Sequence, residues 1–295
     1  MKIAIIDCGT NTFTLNLFEV GPSKKFTRSL EGRHYVELAE EGIRQIGPKA
    51  FKRGVNAFKA FHDFLKNDPS IKTIAVGTAA LRSASNSSEF LEAVEAVSGI
   101  CIQIIAGDKE ADLIYKGVRS AAPLSPRPSL IMDIGGGSVE FIIANQDRVY
   151  WAKSYPIGVA VLFKKFHRSD PINNKDRQDV NDFLEQALFE LIEQLSLHSI
   201  EHLIGASGSF DVLDSMNGAK DEKALFGFIS TDAFFAICQQ LVDSDYEERL
   251  RTDNLSSTRA KLIVMSVLLI KFVHQKTKTP NLVVSDHIPL FNSKI

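Results

Sequence analysis

The sequence predicts an α/β protein made of two similar domains that face one another. Strand-like and helix-like segments alternate along the chain. A length of 295 residues with 44% hydrophobic content is more naturally two domains than one. One local pattern also occurs twice: "IIDCGTNTFTLNLFEV" at 5–20 and "IMDIGGGSVEFIIAN" at 131–145 each read as an apolar strand, Asp, one residue, Gly, a small polar or glycine triplet, and a second apolar strand. Asp7 aligns with Asp133, Gly9 with Gly135 and Thr12 with Ser138, an offset of nearly half the chain.

The elements follow in order. "KIAIID" and "TLNLFEV" are β-rich runs around the turn-prone "CGTNTF". Phe51, Val55, Phe58, Phe61 and Leu65 recur at helical spacing and read as one core-facing stripe. "KTIAVGT" at 72–78 predicts a strand, Ser88 to Val97 a helix, "ICIQIIAG" at 100–107 a strand, and Asp108 to Arg119 the next helix. "AAPLSPRPS" at 121–129 carries three prolines and is the predicted domain boundary, giving domains 1–122 and 123–295. Beyond it "LIMDI", "VEFIIAN" and "RVYWAKS" read as a strand meander. Val180 through Leu195 reads as one long amphipathic helix, and "HLIGASGS" at 202–209 as a strand entering a glycine turn. The apolar run "LIVMSVLLI" at 262–270 is far short of the roughly 20 residues of a membrane span and reads as a buried helix.

Composition excludes several classes. The net charge of −2 lacks the basic excess of a nucleic-acid binder. Cys8, Cys101 and Cys238 are widely spaced with no CxxC pair, which suits a reducing compartment and no structural zinc. "MKIAIIDCGT" has no secretory pattern, so the expected location is the cytoplasm, with no membrane partner. Self-association as a homodimer is left open, because exposed apolar area is not readable from sequence.

Each Asp-x-Gly hairpin offers backbone N–H groups and small hydroxyls without a bulky side chain in the way, a setting for an anion. Asp7 and Asp133 would repel phosphate alone and make sense beside a divalent cation, with Mg²⁺ favoured by an all-oxygen site. The pattern is neither a P-loop, which needs Lys-[Ser/Thr] and a following helix, nor GxGxxG. A single Gly-Gly-Gly turn also reads as a plain hairpin; the matching pair argues against that.

Paired phosphate hairpins resemble the superfamily of acetate and sugar kinases, actin and heat-shock ATPases, in which two ribonuclease-H-like domains close over an interdomain cleft. More specifically, "IDCGTNTFTLNLFEV", "VGTAALRSASNSSEF", "IIAGDKEADLIYKGV", "IMDIGGGSVEF", "PIGVAVLF", "IGASGSFDVL" and "TRAKLIV", in that order, resemble the exopolyphosphatase / guanosine pentaphosphate phosphohydrolase family. The resemblance is to its short form, without the C-terminal HD-type module.

The resemblance implies residue roles. Glu110 falls on the family's general base. Glu140 matches the glutamate of its glycine-rich motif and would bind Mg²⁺ or orient the attacking water; strand spacing puts it on the face of Ser138. Arg82 matches an arginine near bound phosphate, a role its planar fork suits, with a surface ion pair as the ordinary alternative. Gly9, Thr10, Asn11, Thr12, Gly135, Gly136, Gly137 and Ser138 are the phosphate-cradling candidates; Asp7, Asp133 and Glu140 are the metal candidates. Gly208, in "GASGS", either meets ligand or caps a helix. Lys164, Lys165, His167 and Arg168 line a basic channel or form a solvated surface. Lys109, Val161 and Lys261 depart from the family pattern, as does "SDHIPLF".

The expected activity is Mg²⁺-dependent release of terminal phosphate from inorganic polyphosphate, with guanosine pentaphosphate as the second substrate. A phosphotransferase built on the same hairpins and a nonhydrolytic polyphosphate or alarmone sensor are the other classes.

Overall fold

The computed structural model describes residues 2–21, 26–122, 124–218, 226–252, 255–279 and 281–285. The chain forms two compact units that divide between Gly107 and Asp108.

In the first unit, β1 (Lys2–Cys8), β2 (Thr12–Val20) and β3 (Phe26–Tyr35) form an antiparallel meander. After α1 (Pro48–Leu65), β4 (Lys72–Gly77) pairs parallel to β1; α2 (Ala79–Ser83) and α3 (Ser87–Ser98) lead to β5 (Ile102–Ile104), parallel to β4. The sheet order is β3-β2-β1-β4-β5. Strand alternation turns Ala4, Ile6 and Cys8 toward α1 and α3, and therefore Ile3, Ile5 and Asp7 to the opposite face. α1 starts at Pro48, whose missing N–H falls where a helix has no partner for it. As its spacing predicts, Phe58, Phe61 and Leu65 are buried and Phe51 and Val55 pack against the same core. Phe13 of β2 meets Phe58 and Phe90 edge-on, at 5.8 and 6.2 Å between centroids.

The second unit repeats the scheme. α4 (Gly107–Ala121) precedes the meander of β6 (Ser129–Ile134), β7 (Val139–Ala144) and β8 (Val149–Tyr155). Then follow α5 (Val159–Phe166), α6 (Asn174–Ala187), α7 (Phe189–Leu197), β9 (Leu203–Gly205), α8 (Gly208–Asn217), β10 (Phe226–Ser230), α9 (Thr231–Asp243), α10 (Tyr246–Leu250), α11 (Ser257–Thr277) and β11 (Asn281–Ser285). The sheet order β10-β11-β9-β6-β7-β8 contains the first unit's order with one added edge strand. The fold is thus α/β with two ribonuclease-H-like units. Leu130, Met132, Ile134, Val139, Phe141 and Ile143 face the main helical layer, whose centre is the buried α11. Ile131, Ile142, Ala144, Ile204 and Val283 face the other way and are covered by Ala111, Ile114, Tyr115 and Val118 of α4.

That last contact ties α4 to the second unit. α4 lies before the proline-rich stretch, yet its apolar stripe belongs to the second sheet, so Glu110 groups with the second unit rather than the first. The predicted helix through Val180–Leu195 is two helices, broken at Leu188 (φ −104°, ψ 18°). Leu188 still donates to Leu184 O and accepts from Ile192 N, both at 2.9 Å, so the apolar spacing runs through the break and does not register it. β5 spans three residues, shorter than the predicted 100–107 strand. Among the described residues no helix is long and apolar enough to cross a membrane. "SDHIPLF" lies, after Ser285, outside the described residues.

α1 approaches α3 through Gly54, where an added Cβ would sit 2.6 Å from the ring of Phe90. Alanine in a helix ordinarily stabilises by about 1 kcal/mol over glycine. Here Gly54→Ala is expected to destabilise the protein by about 1–3 kcal/mol through overpacking. Urea denaturation should show a lower midpoint at unchanged slope; a raised midpoint would contradict this packing.

Candidate active site

The two duplicated hairpins share one turn geometry. Gly9 N–H donates to Thr12 O at 3.0 Å, and Gly135 N–H donates to Ser138 O at 2.9 Å. In each turn the carbonyls are then taken up from one side. Leu38 N–H donates to Thr10 O at 2.7 Å, and Val36 and Glu37 N–H both donate to Asn11 O, at 2.9 and 3.0 Å. In the second hairpin, Val159, Ala160 and Gly158 N–H donate to the carbonyls of Gly135, Gly136 and Gly137 at 3.0, 2.9 and 3.2 Å. A trans peptide directs each carbonyl opposite to the next residue's N–H. The tied carbonyls therefore turn the amides of Asn11 and Thr12, and those of Gly136, Gly137 and Ser138, to the other side of their hairpins. Such a run of amides is a cradle for anionic oxygen.

The cradle also satisfies α5. The amides of Gly158, Val159 and Ala160 are among the N-terminal donors that a helix leaves without intrahelical acceptors, and the glycine carbonyls supply acceptors. This approach leaves no room at Gly158: an added Cβ would overlap the carbonyl of Gly136. Gly158 was not singled out from sequence; the Pro-x-Gly before an apolar run was its only signal. In the first unit Glu37 adopts φ 50°, a left-handed conformation unusual for glutamate, within the segment that holds the Thr10 and Asn11 carbonyls.

The second hairpin carries the acids. Asp133 and Glu140 are directly opposite in the β6–β7 register, and Glu140 is opposite Ser154 of β8, so all three share one face of the sheet. By alternation it is the face of Ile131 and Ile142, which α4 covers. α4 runs back along β6: Tyr115 Oη donates to Asn145 O at 3.0 Å, at the end of β7 remote from the hairpin, and the chain leaving α4 enters the start of β6. The first turn of α4, with Glu110, therefore lies toward the hairpin end. Glu110 is 9% exposed and Glu140 2%. Oε1 of Glu140 accepts from Ser138 Oγ at 2.7 Å and Ser154 Oγ at 2.6 Å. Ser138 thus has its proton committed to Glu140, and toward any other group its hydroxyl oxygen is an acceptor.

The first unit differs at the matching place, where Asp7 stands opposite Thr14. Burial pushes the Asp7 carboxyl up to about 7. Arg82 lies in α2, after β4, and its Nη1 donates to Ile105 O at 2.7 Å.

Gly208 opens α8, and the Ser207 hydroxyl accepts from Ile134 N–H at 3.1 Å instead of capping that helix. Gly208 has a packing role: an added Cβ would sit 2.5 Å from Nη2 of Arg259, which lies 3.7 Å from Asp211. Arg259 and Ser154 escaped sequence reasoning, since cross-strand and inter-helix neighbours leave no periodic trace.

The basic cluster is engaged locally. Arg168 pairs with Asp176 and Asp179 at 3.1 and 2.9 Å. Lys165 sits 3.9 Å from the Phe183 ring centroid, and His167 stacks on Phe163 with burial lowering its pKa. Lys109 is exposed and 3.2 Å from Asp112, and Lys261 is exposed over Phe163 at 5.2 Å. Val161, in the first turn of α5, is partly buried.

A cation finds only oxygen donors here. Asp133, Glu140 and the acceptor hydroxyl of Ser138 suit a hard cation such as Mg²⁺, which keeps several waters and takes one or two carboxylates from the protein. Among the described residues no group of three or more His, Cys, Asp or Glu side chains is placed to hold a metal ion, so waters or substrate oxygens would supply the remaining ligands.

Two outcomes are expected. Asp7 ionises near 3.8 when unfolded and near 7 when folded, so across that window the folded state binds more protons and stability falls as pH rises. Asp7→Asn removes this loss, so its melting temperature should match wild type near pH 3.5 and exceed it above pH 7. The gain is about 1–3 kcal/mol, reduced from the full shift because Asp7 keeps partial exposure. A pH-independent difference would contradict the assignment. Gly158→Ala should displace α5 from the glycine turn and weaken phosphate binding by about tenfold or more. Isothermal titration with a short polyphosphate reads this, and unchanged affinity would contradict the cradle.

Comparison with known proteins places the chain. A model of the Ppx/GppA phosphatase family matches residues 24–287. A guanosine-5'-triphosphate,3'-diphosphate pyrophosphatase of Vibrio parahaemolyticus is 26% identical over 258 residues, 87% of this chain and 51% of that protein. The chain thus spans about half the length of this curated relative. The crystal structure of an exopolyphosphatase from Cytophaga hutchinsonii is 33% identical and superposes with a TM-score of 0.93, covering 97% of this chain and 94% of that one. An Aquifex aeolicus member of the same family, 23% identical with 97% and 94% covered, shares the fold at a TM-score of 0.79. With the family model matching across both units, the chain belongs to the Ppx/GppA phosphatase family.

Proposed function

We propose that the protein is an exopolyphosphatase that hydrolyses the terminal phosphate of inorganic polyphosphate with Mg²⁺. The reading is supported by the second unit's hairpin end, where Asp133 and Glu140 share a sheet face, three turn amides are aimed away from α5, and the first turn of α4, with Glu110, lies toward the same end. The likeness to the Cytophaga hutchinsonii exopolyphosphatase supports the substrate.

The amides of Gly136, Gly137 and Ser138 hold oxygens of the terminal phosphate, and those of Asn11 and Thr12, with Arg82, hold phosphate in the first unit. Water attacks the terminal phosphorus and gives its proton to Glu110 as the new P–O bond forms. The bond to the bridging oxygen breaks with its electron pair leaving on the shortened chain, and orthophosphate is released. Glu140, fixed by its two serines, orients the water or holds the cation. Asp133, Glu140 and Ser138 would hold Mg²⁺ in the second unit, and Asp7 is the corresponding metal candidate of the first; when bound, the cation offsets charge developing on the bridging oxygen.

Guanosine pentaphosphate is the second reading, favoured by the name of the Vibrio parahaemolyticus relative. The same chemistry would remove its 5'-terminal phosphate. The reaction needs no membrane or nucleic acid; a cytoplasmic location and a homodimer are part of the proposal.

The test is orthophosphate release from long polyphosphate, guanosine pentaphosphate and ATP, with Mg²⁺ and then with EDTA. Release from polyphosphate should require the metal and fall by about 10²–10⁴ in Glu110→Gln. Preference for pentaphosphate would select the second reading. Polyphosphate binding without any release would leave a sensor, and transfer only to an added acceptor would make the protein a phosphotransferase.

A further inference from the structure

We propose that Ser154 is a positioning residue for Glu140, an inference that rests on the hydrolytic reading of this site. The terminal torsion of a glutamate is broad and roughly two-fold, so one hydrogen bond leaves its carboxylate plane poorly defined. Glu140 has two donors on the same oxygen: Ser138 Oγ at 2.7 Å from its own strand and Ser154 Oγ at 2.6 Å from the neighbouring strand. Their directions differ because one comes along β7 and the other across the ladder from β8. Together they fix the carboxylate plane of Glu140.

The same pair of bonds acts on Ser138. With the lone pairs of Oε1 divided between two hydroxyls, Ser138 is held as a donor to Glu140 and presents its oxygen lone pairs to the cradle side. Ser154 thus sets both Glu140 and, through it, the hydroxyl of the glycine-rich turn. Its neighbours on β8 do other work: Tyr155 joins the opposite core and Lys153 pairs with Glu190. Ser154 lies on an edge strand and is partly exposed, so removing its hydroxyl leaves the ladder and the core in place.

Ser154→Ala is expected to lower kcat for Mg²⁺-dependent phosphate release from polyphosphate by about 10–100-fold, with KM within about twofold and an unchanged melting temperature. Ser154→Thr, which keeps the hydroxyl and suits a strand, should restore most of kcat. In a Glu140→Ala background, Ser154→Ala should add less than about a twofold loss, because the two act as one unit. Wild-type kcat in Ser154→Ala, failure of threonine to rescue, or a full additional loss without Glu140 would each overturn the inference. A crystal structure of Ser154→Ala provides a readout independent of turnover, in which the Glu140 carboxylate should rotate. If wild type releases phosphate from no substrate, the hydrolytic reading fails, and an unmoved carboxylate in that structure overturns the positioning role as well.

Discussion

The direction of three peptide planes underlies the site. The carbonyls of Gly135, Gly136 and Gly137 are bound by the N-terminal amides of α5, and planarity then dictates where the following N–H groups point. One set of bonds satisfies a helix terminus and aims three backbone amides to the other side of the turn at the same time. It also explains the glycine at 158. The carbonyl of Gly136 meets α5 so closely that Gly158 on the helix side has no room for a side chain. The first unit reaches the same result by a different route, with a non-helical segment at 36–38, turned at Glu37, in place of a helix. Cradle geometry is thus shared by the two units while the means of holding it is not.

A second constraint is the placement of acids on a largely covered sheet face. Asp133 and Glu140 are cross-strand neighbours, and two adjacent carboxylates repel one another unless a proton, a donor or a cation intervenes. Two serine hydroxyls answer part of the charge on Glu140, and an oxygen-loving cation would answer more. Asp7 stands opposite a threonine, and burial alone raises its carboxyl. The duplicated hairpins therefore differ in kind: both turn backbone amides outward, and the second also pairs two acids across the ladder. The membership of α4 in the second unit follows the same logic, because its apolar stripe carries Glu110 to the sheet face on which Asp133 and Glu140 lie.

Much of this was legible in the residues. Strand alternation in 2–8 and 129–134, the aromatic stripe of α1, and the paired Asp-x-Gly turns all follow from periods of two and 3.6 that act within a few residues. The adjacency of Ser138 and Glu140 was readable for the same reason, being a spacing of two along one strand. The break at Leu188 was not, because its hydrogen bonds and apolar spacing continue across it. Nor was the membership of α4: the proline-rich stretch is a local composition signal, whereas that membership depends on which sheet buries Ile114 and Val118.

The sequence by itself determined the α/β class, the internal duplication and the identity of the candidate acids and phosphate-cradling turns. Each of these is encoded by residue type at short range. Only the tertiary structure decided that Ser154 meets Glu140 across the ladder, that Gly158 is required by the approach of α5, that Arg259 overlies Gly208, and that Glu110 belongs with the second hairpin. These are contacts between segments far apart in the chain. Strand register and helix docking set them, and both arise from burying apolar faces against one another, a process that no local pattern of side chains records.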